Sequence, residues 1–124
     1  MTHTTKGLIL FGHGARNPEY IEPFKRIRAV VEALRPDLKV TIGFLELTQP
    51  PLEESITELA ARGVTEVRVV PIFFAPGRHV LKDLPQLLGN AMDRHPGIEF
   101  EVAECVGEVE GVIGAMAAHA VAGV

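Results

Sequence analysis

Two histidines in this chain follow apolar segments at positions suited to binding a metal ion. His13 lies between two glycines at the end of the apolar segment 7–12, and His79 follows the apolar segment 66–74. Neutral imidazole is a common ligand for divalent transition metals, and a site with two or three protein ligands keeps coordination positions open. The pair therefore suits a metal ion that is handed on rather than retained.

A single carboxylate ends a third apolar segment, 39–47. Glu46 lies between two leucines there, and a carboxylate is costly to bury without a partner. It either points into solvent, as most glutamates at strand ends do, or it flanks the two histidines. The other histidines, His3, His95 and His119, lie near a terminus or in terminal turns of predicted helices, and we assign them no site role.

Length, charge and cysteine content restrict the class of protein. The chain has 124 residues and a net charge of −4, which predicts one domain spanning 1–124 and argues against a nucleic-acid partner. The apolar runs are too short for a membrane span or a signal peptide, so we expect a cytoplasmic protein. Cys105 is the only cysteine. It excludes an internal disulfide and is interpreted as a small buried hydrophobic residue.

Apolar periodicity divides the chain into four strand–helix pairs. It predicts strands over 7–12, 39–47, 66–74 and 98–103, and helices over 18–35, 52–62, 83–94 and 108–122. The third helix is expected to begin near Asp83 because Pro85 fits only a first turn, which leaves His79 in a long loop. The first helix is expected to carry one apolar stripe that belongs to the core, formed by Tyr20, Phe24, Ile27, Val31 and Leu34. The last helix carries apolar residues on one side, namely Val109, Val112, Ile113 and Met116.

Alternating strands and helices with short connections predict an α/β fold with a four-stranded parallel sheet of order 2-1-3-4, flanked by helices. The direction of winding then reverses between strands 1 and 3, and ligands of such sheets bind at the carboxyl ends of the strands beside that point. His13 and His79 converge on this crevice, and Glu46 flanks it. This convergence is the main physical argument for a site.

Three segments resemble one known family when they are taken in order and spacing. GLILFGHGAR, GFLELTQPPLEESI and VVPIFFAPGRHVLKDLP are similar to the small form of the CbiX/SirB class of sirohydrochlorin chelatases, over residues 7–88. The similarity fades after residue 97, where the Gly-x-His-Pro of longer relatives is absent. The resemblance implies a chelatase/flavodoxin-like half-domain that inserts a divalent metal, cobalt first and ferrous iron second, into sirohydrochlorin, in cobalamin or sirohaem biosynthesis. The metal is a substrate, and no organic cofactor is expected.

The resemblance also implies roles for individual residues. His13 and His79 are the metal-contacting histidines, and Glu46 is the acidic residue near the path of the metal. Metal insertion replaces two pyrrole N–H protons, so an imidazole or Glu46 is expected to accept protons. Cationic side chains should bind the eight carboxylates of the substrate. The candidates flanking the histidines in sequence are Arg16, Arg78 and Lys82.

Two other functions fit some of these residues. One is a metal or tetrapyrrole carrier, which would bind without turnover. The other is a phosphoryl-transfer enzyme with His13 as nucleophile, although Gly12 stands where histidine phosphatases carry an arginine. A planar macrocycle over about 10 Å across needs a wall on each side, so we expect a homodimer. The last helix and the pair Val80 and Leu81 are its expected surfaces.

Overall fold

The computed structural model describes residues 4–75 and 77–124, and for His79 and Leu81 it describes the backbone alone. The predicted alternation of strands and helices is confirmed. The elements in chain order are β1 (Lys6–Gly12), α1 (Glu22–Leu34), β2 (Lys39–Phe44), α2 (Leu52–Ala61), β3 (Glu66–Pro71), α3 (Arg78–Arg94), β4 (Glu99–Val102) and α4 (Glu110–Val121). Short 3-10 turns, Pro18–Ile21 and Val106–Glu108, precede α1 and α4.

The four strands form one parallel sheet of order β2-β1-β3-β4, as the sequence predicts. β1 is central, so Leu10 is in register with Ile42 on one side and with Val70 on the other. Because the strands are parallel, the carboxyl ends of β1, β2 and β3 lie along one edge of the sheet. The segments that follow these strands therefore meet at that edge.

β1 is apolar from Gly7 onward because both of its faces are covered. Ile9 and Phe11 face α2 and α3 within the larger core cluster, while Leu10 faces α1 and packs in a cluster with Phe24. A strand buried on both faces has a continuous apolar sequence rather than an alternating one. No helix within the described ranges is both long and apolar enough to cross a bilayer.

The apolar stripe of α1 is buried along only part of its length. Phe24 is buried, and Tyr20 and Val31 pack against the same core cluster. Ile27 is 37% exposed and Leu34 is 73% exposed, so the expectation that the stripe belongs to the core holds for only part of it. α1 packs mainly against β2, the strand at the edge of the sheet. Only the part of the stripe that lies over β2 reaches the core.

Two strands end earlier than the sequence predicts. β2 ends at Phe44 rather than at residue 47, and β3 ends at Pro71 rather than at residue 74. The N–H of Ile72 donates to the carbonyl of Phe11 at 2.8 Å. Since successive N–H groups of a strand point to opposite sides, the nitrogen of Pro71 faces away from β1 and removes no bond to that strand.

α3 begins at Arg78 and not near Asp83, so Pro85 lies inside the helix and residue 79 is not in a loop. Pro85 lacks the N–H that would bond to the carbonyl of residue 81. Buried side chains on both sides of the proline, Val80, Leu84 and Leu88, pack against the core. This tertiary packing outweighs one missing hydrogen bond, which a rule based on local sequence does not take into account.

α4 is exposed along its whole length. It spans Glu110–Val121 rather than 108–122, and none of its residues is buried. The apolar residues that the sequence places on one side of it, including Ile113 and Met116, are exposed. The last helix, which is expected to be a dimer surface, is therefore uncovered within one copy.

Candidate active site

His13 and Glu46 meet directly at the carboxyl edge of the sheet. The Nε2 atom of His13 lies 2.9 Å from Oε1 of Glu46, and both side chains are partly exposed. Glu46 is therefore not a carboxylate directed only at solvent, which settles one alternative left open by the sequence. Because a carboxylate accepts hydrogen bonds, Nε2–H is the donor, and the lone pair of the neutral ring is on Nδ1 in this tautomer.

Backbone hydrogen bonds fix the two segments that carry this pair. The N–H of Glu46 donates to the carbonyl of His13 at 3.1 Å, and the N–H of Leu45 donates to the carbonyl of Gly12 at 3.0 Å. Main-chain contact between β1 and the segment after β2 thus continues as far as His13 and Glu46. The imidazole and the carboxylate are held by the main chain, and their contact does not depend on flexible loops.

Glycine at position 14 is a steric requirement of the site. Gly14 has φ +103, and a Cβ placed there would overlap the carbonyl oxygen of Glu46. The side-chain hydroxyl of Thr48 also bridges to this turn, because its Oγ1 contacts both the N–H and the carbonyl of Ala15 at 2.9 Å. Glycine at position 14 therefore allows the chain after β2 to approach closely.

Aromatic rings support the site from the side of α1. The ring centroids of Phe24 and Phe44 are 5.0 Å apart, and Tyr20 lies 5.4 Å from Phe24 and 5.8 Å from Phe44. A Cβ at Gly12 would overlap the ring of Phe24. The residue before His13 thus rests on a packed aromatic cluster, which restricts the position of the imidazole.

The first turns of α3 approach Glu46 from the other side. A cavity of about 350 Å³ lies between the segment after β2 and α3. Its lining residues are Leu45, Glu46, Asp83, Gln86, Leu87 and Asn90. Asp83 is a half-buried carboxylate in this cavity that the sequence analysis did not select, because it was placed at the start of a helix. With α3 beginning at Arg78, residues 79 and 83 lie one helical turn apart, and this spacing is the signal that could have identified Asp83.

The predicted second histidine follows the carboxyl end of β3. His79 is the second residue of α3, at the same edge of the sheet as His13 and Glu46, and its side chain lies outside the described residues. Among the side chains that the structure does describe, no three His, Cys, Asp or Glu groups come together as a metal site. Of the three predicted site residues, His13, Glu46 and His79, the structure thus describes the side chains of the first two.

The three predicted cations are exposed. Arg16 follows β1 in the chain after His13. Arg78 and Lys82 are one turn apart in the first part of α3, so they lie on one side of that helix. All three follow strand ends at the carboxyl edge, where a polyanionic ligand of the crevice could reach them.

The residues without an assigned role lie elsewhere. His95 follows the last residue of α3, and its N–H donates to the carbonyl of Ala91. His119 is in the last turn of α4, and His3 lies outside the described residues. Cys105 is buried, as predicted, and this burial raises the pKa of its thiol, with a further contribution from Glu108 and Glu104.

Comparison with known proteins gives a consistent result. The sequence model of the CbiX family matches residues 7–121. A protein from Methanosarcina acetivorans named sirohydrochlorin cobaltochelatase is 38% identical over 82 residues, which cover 66% of this chain and 63% of that protein. The chain thus spans less than two thirds of the length of the first curated relatives that it matches.

Two solved structures of similar fold differ in length. A CbiX protein from Marinobacter aquaeolei VT8 superimposes with a TM-score of 0.79 and 26% identity, covering 93% of each chain. The sirohydrochlorin chelatase SirB from Bacillus subtilis subspecies spizizenii, in complex with cobalt, superimposes with a TM-score of 0.71 and 25% identity. That match covers 90% of this chain but only 48% of the SirB chain.

Proposed function

Because this chain belongs to the CbiX family, we propose that it is a chelatase that inserts a divalent metal ion, cobalt or ferrous iron, into sirohydrochlorin. The observation that carries the proposal is the 2.9 Å contact between His13 Nε2 and Glu46 Oε1 at the carboxyl edge of the sheet. A metal-binding imidazole is commonly oriented by a carboxylate that accepts its other N–H. The pair therefore combines an imidazole that can bind the metal ion with a carboxylate that orients it, as a metal-transfer site needs.

We assign His13 and His79 to the metal ion and Glu46 to proton transfer. Insertion forms metal–nitrogen bonds to the macrocycle and releases two pyrrole protons, so a basic group must lie close to the ring. Glu46 can accept a proton directly or through His13, with which it shares a hydrogen bond. A site with two imidazoles leaves coordination positions for the incoming pyrrole nitrogens.

We assign Arg16, Arg78 and Lys82 to the carboxylates of the substrate. All three are exposed at the edge that carries His13, and charge-assisted contacts between such side chains and carboxylates are stronger than neutral hydrogen bonds. The net charge of −4 does not oppose this assignment, because a local cluster of cations sets the potential at a site. We place the reaction in the cytoplasm, in cobalamin or sirohaem biosynthesis, with chain 1–124 as one chelatase domain.

The working form that we propose is a homodimer. One sheet edge with short connecting segments covers one side of a planar macrocycle, and the second side needs another wall. The match to SirB covers less than half of that chain, which supports a second unit of similar size in the longer protein. Two copies related by a two-fold axis would supply both walls.

The decisive experiment follows the absorption spectrum of sirohydrochlorin mixed with cobalt or ferrous iron, with and without the protein. We expect the protein to accelerate the spectral change of insertion. We expect His13→Ala to slow it by at least about a hundredfold, the size of a lost acid–base or metal-binding group. His95→Ala, at the opposite end of α3, is the matched control and should retain activity.

Two results would contradict the proposal. Binding of metal and tetrapyrrole without faster insertion would identify a carrier. Near-normal turnover by His13→Ala would remove this residue from the site. A supporting measurement is cobalt affinity as a function of pH. It should fall from about pH 8 to about pH 5.5, because protons compete with the metal for imidazole.

A further inference from the structure

α4 is a helix with no cover. Glu110 and His119 are its polar residues, the others are apolar or glycine, and all except the half-buried Val112 are exposed. A helix that is apolar on every side is normally buried, and an isolated helix of this length is only marginally stable in water. The folded protein therefore needs a surface that covers α4.

The same chain carries an apolar groove with no occupant. The groove has a volume of about 570 Å³ and lies between α3 and β4. Six of the residues that line it are Leu84, Leu88, Gly89, Met92, Val102 and Ala103. Met92 and Val102 are each 47% exposed, so large apolar side chains meet water along its length. Contiguous apolar surface of this kind marks an interaction site.

α4 lies outside this groove in its own chain. The segment 103–108 forms part of the rim of the groove and is fixed there. The N–H of Gly107 donates to the carbonyl of Phe73 at 2.9 Å, and a Cβ at position 107 would overlap the backbone of Phe74. α4 starts directly after this anchored segment, and none of its residues lines the groove.

We propose that α4 of one copy packs into the α3–β4 groove of a second copy, with the reciprocal contact made across a two-fold axis. This inference rests on the proposed homodimer and assigns its surface. The small residues of α4 suit close packing of a helix into a groove. They are Gly111, Gly114, Ala115, Ala117, Ala118 and Ala120.

The area of such an exchange is sufficient for a stable dimer. A twelve-residue helix is about 18 Å long and about 10 Å wide, so half of its lateral surface is about 280 Å². Two helices and two grooves would together bury about 1,100 Å², above the roughly 1,000 Å² that a specific interface needs. Packing of α4 on one partner surface alone, without reciprocity, would bury half of this.

The exposed apolar residues of α1 form the competing surface. Ile27, Val30 and Leu34 are all exposed, but charged pairs run beside them, with Arg28 and Glu32 3.9 Å apart. This surface is convex and mixed in polarity, whereas the α3–β4 groove is concave and apolar. The groove is therefore the better receptor for an apolar helix.

The test uses sedimentation velocity of the full chain and needs neither metal nor tetrapyrrole. We expect a dimer for the wild type. Met116→Glu on α4 and Met92→Glu in the groove should each weaken dimerisation at least about tenfold, because a buried unpaired carboxylate is strongly unfavourable. Val30→Glu, on the competing surface, is the matched control and should leave the dimer intact. Circular dichroism verifies that each variant is folded.

A mixture of two variants tests the reciprocity. In a heterodimer of Met116→Glu and Met92→Glu, one helix–groove contact carries both substitutions, and the other contact is entirely native. Native mass spectrometry of the mixture should therefore show the heterodimer in excess over either homodimer. A dimer that is unaffected by Met92→Glu, or one dissociated by Val30→Glu, would overturn the helix exchange while leaving the dimer and the chelatase proposal standing. A monomeric wild type would overturn the exchange and the dimer together, independently of the insertion assay.

Discussion

The role of Glu46 depends on a contact that its sequence position does not reveal. From the sequence, the side chain of a glutamate between two leucines could equally point into solvent or contact another group. In the structure Glu46 contacts His13, because main-chain hydrogen bonds hold the segment after β2 against the end of β1. The carboxylate fixes one tautomer of His13. Its function in the proposed site is therefore to orient the ring and to accept a proton.

Glu46→Gln separates these two roles from a merely structural one. The amide oxygen can still accept a hydrogen bond from His13, but it carries no charge and binds protons poorly. We expect the cobalt affinity, measured by calorimetry, to fall about 10- to 100-fold. The rate of metal insertion should fall by a larger factor than the affinity. Glu54→Gln, on the exposed first turn of α2, should change neither quantity. Unaltered binding and insertion in Glu46→Gln would show that the contact has no part in the reaction.

Cys105 should be unreactive in the folded protein. Burial and the neighbouring carboxylates of Glu108 and Glu104 raise the pKa of its thiol, so the thiolate fraction at a given pH is smaller than for an exposed cysteine. We expect alkylation by iodoacetamide at about pH 8 to be at least about tenfold slower than for an unstructured peptide thiol. Urea should abolish the difference. Equal rates before and after unfolding would contradict the assigned burial.

At the scale of elements, the sequence predicts the features that depend on local apolar pattern. It does not predict the helix boundary that depends on tertiary packing. The alternating apolar runs predict the four strands because each strand is bounded by turn residues. The start of α3 is missed because Pro85 is judged by its missing N–H alone, while Val80, Leu84 and Leu88 pack across it. That error also hides Asp83, which is one turn from residue 79 only if both are helical. Val80 is consequently buried and not part of an exposed surface, and the side chain of Leu81 lies outside the described residues.

Pro85→Ala tests how much the interior proline costs. Alanine would restore an N–H for the carbonyl of residue 81 and remove the steric conflict of the ring with the preceding turn. The loss of the proline's restriction on the unfolded chain offsets part of this gain. We expect the free energy of unfolding, from urea denaturation, to rise by about 1–2 kcal/mol. Gln86→Ala, at the neighbouring exposed position, is the control, and a destabilised Pro85→Ala would show that the proline fits the helix without strain.

At the scale of the molecule, topology carries most of the functional argument. The order β2-β1-β3-β4 brings the ends of the three functional segments to one edge, and this convergence is predictable because crossovers are right-handed and the strands parallel. What covers α4 is not predictable from one chain's sequence, since an apolar helix has the same pattern whether it packs within its own copy or on another. The second wall of the proposed site depends on the same contact between copies.

Mixing of two inactive variants decides whether one copy contains a complete metal site. His13 and residue 79 follow β1 and β3, which are neighbouring, hydrogen-bonded strands of one chain, so we expect both metal ligands of a site to come from the same copy. His13→Ala and His79→Ala should each be inactive, and each heterodimer would then contain one defective site of either kind. Co-refolding the two variants should restore no insertion activity beyond that of the separate proteins.

If instead each site combined His13 of one copy with His79 of the other, half of the mixed dimers' sites would be intact, and random pairing would restore about a quarter of the wild-type rate. Native mass spectrometry of the refolded mixture verifies that heterodimers have formed. Recovery near that level would show that the two histidines act across the dimer, and would move the site from the crevice of one sheet to the interface between two.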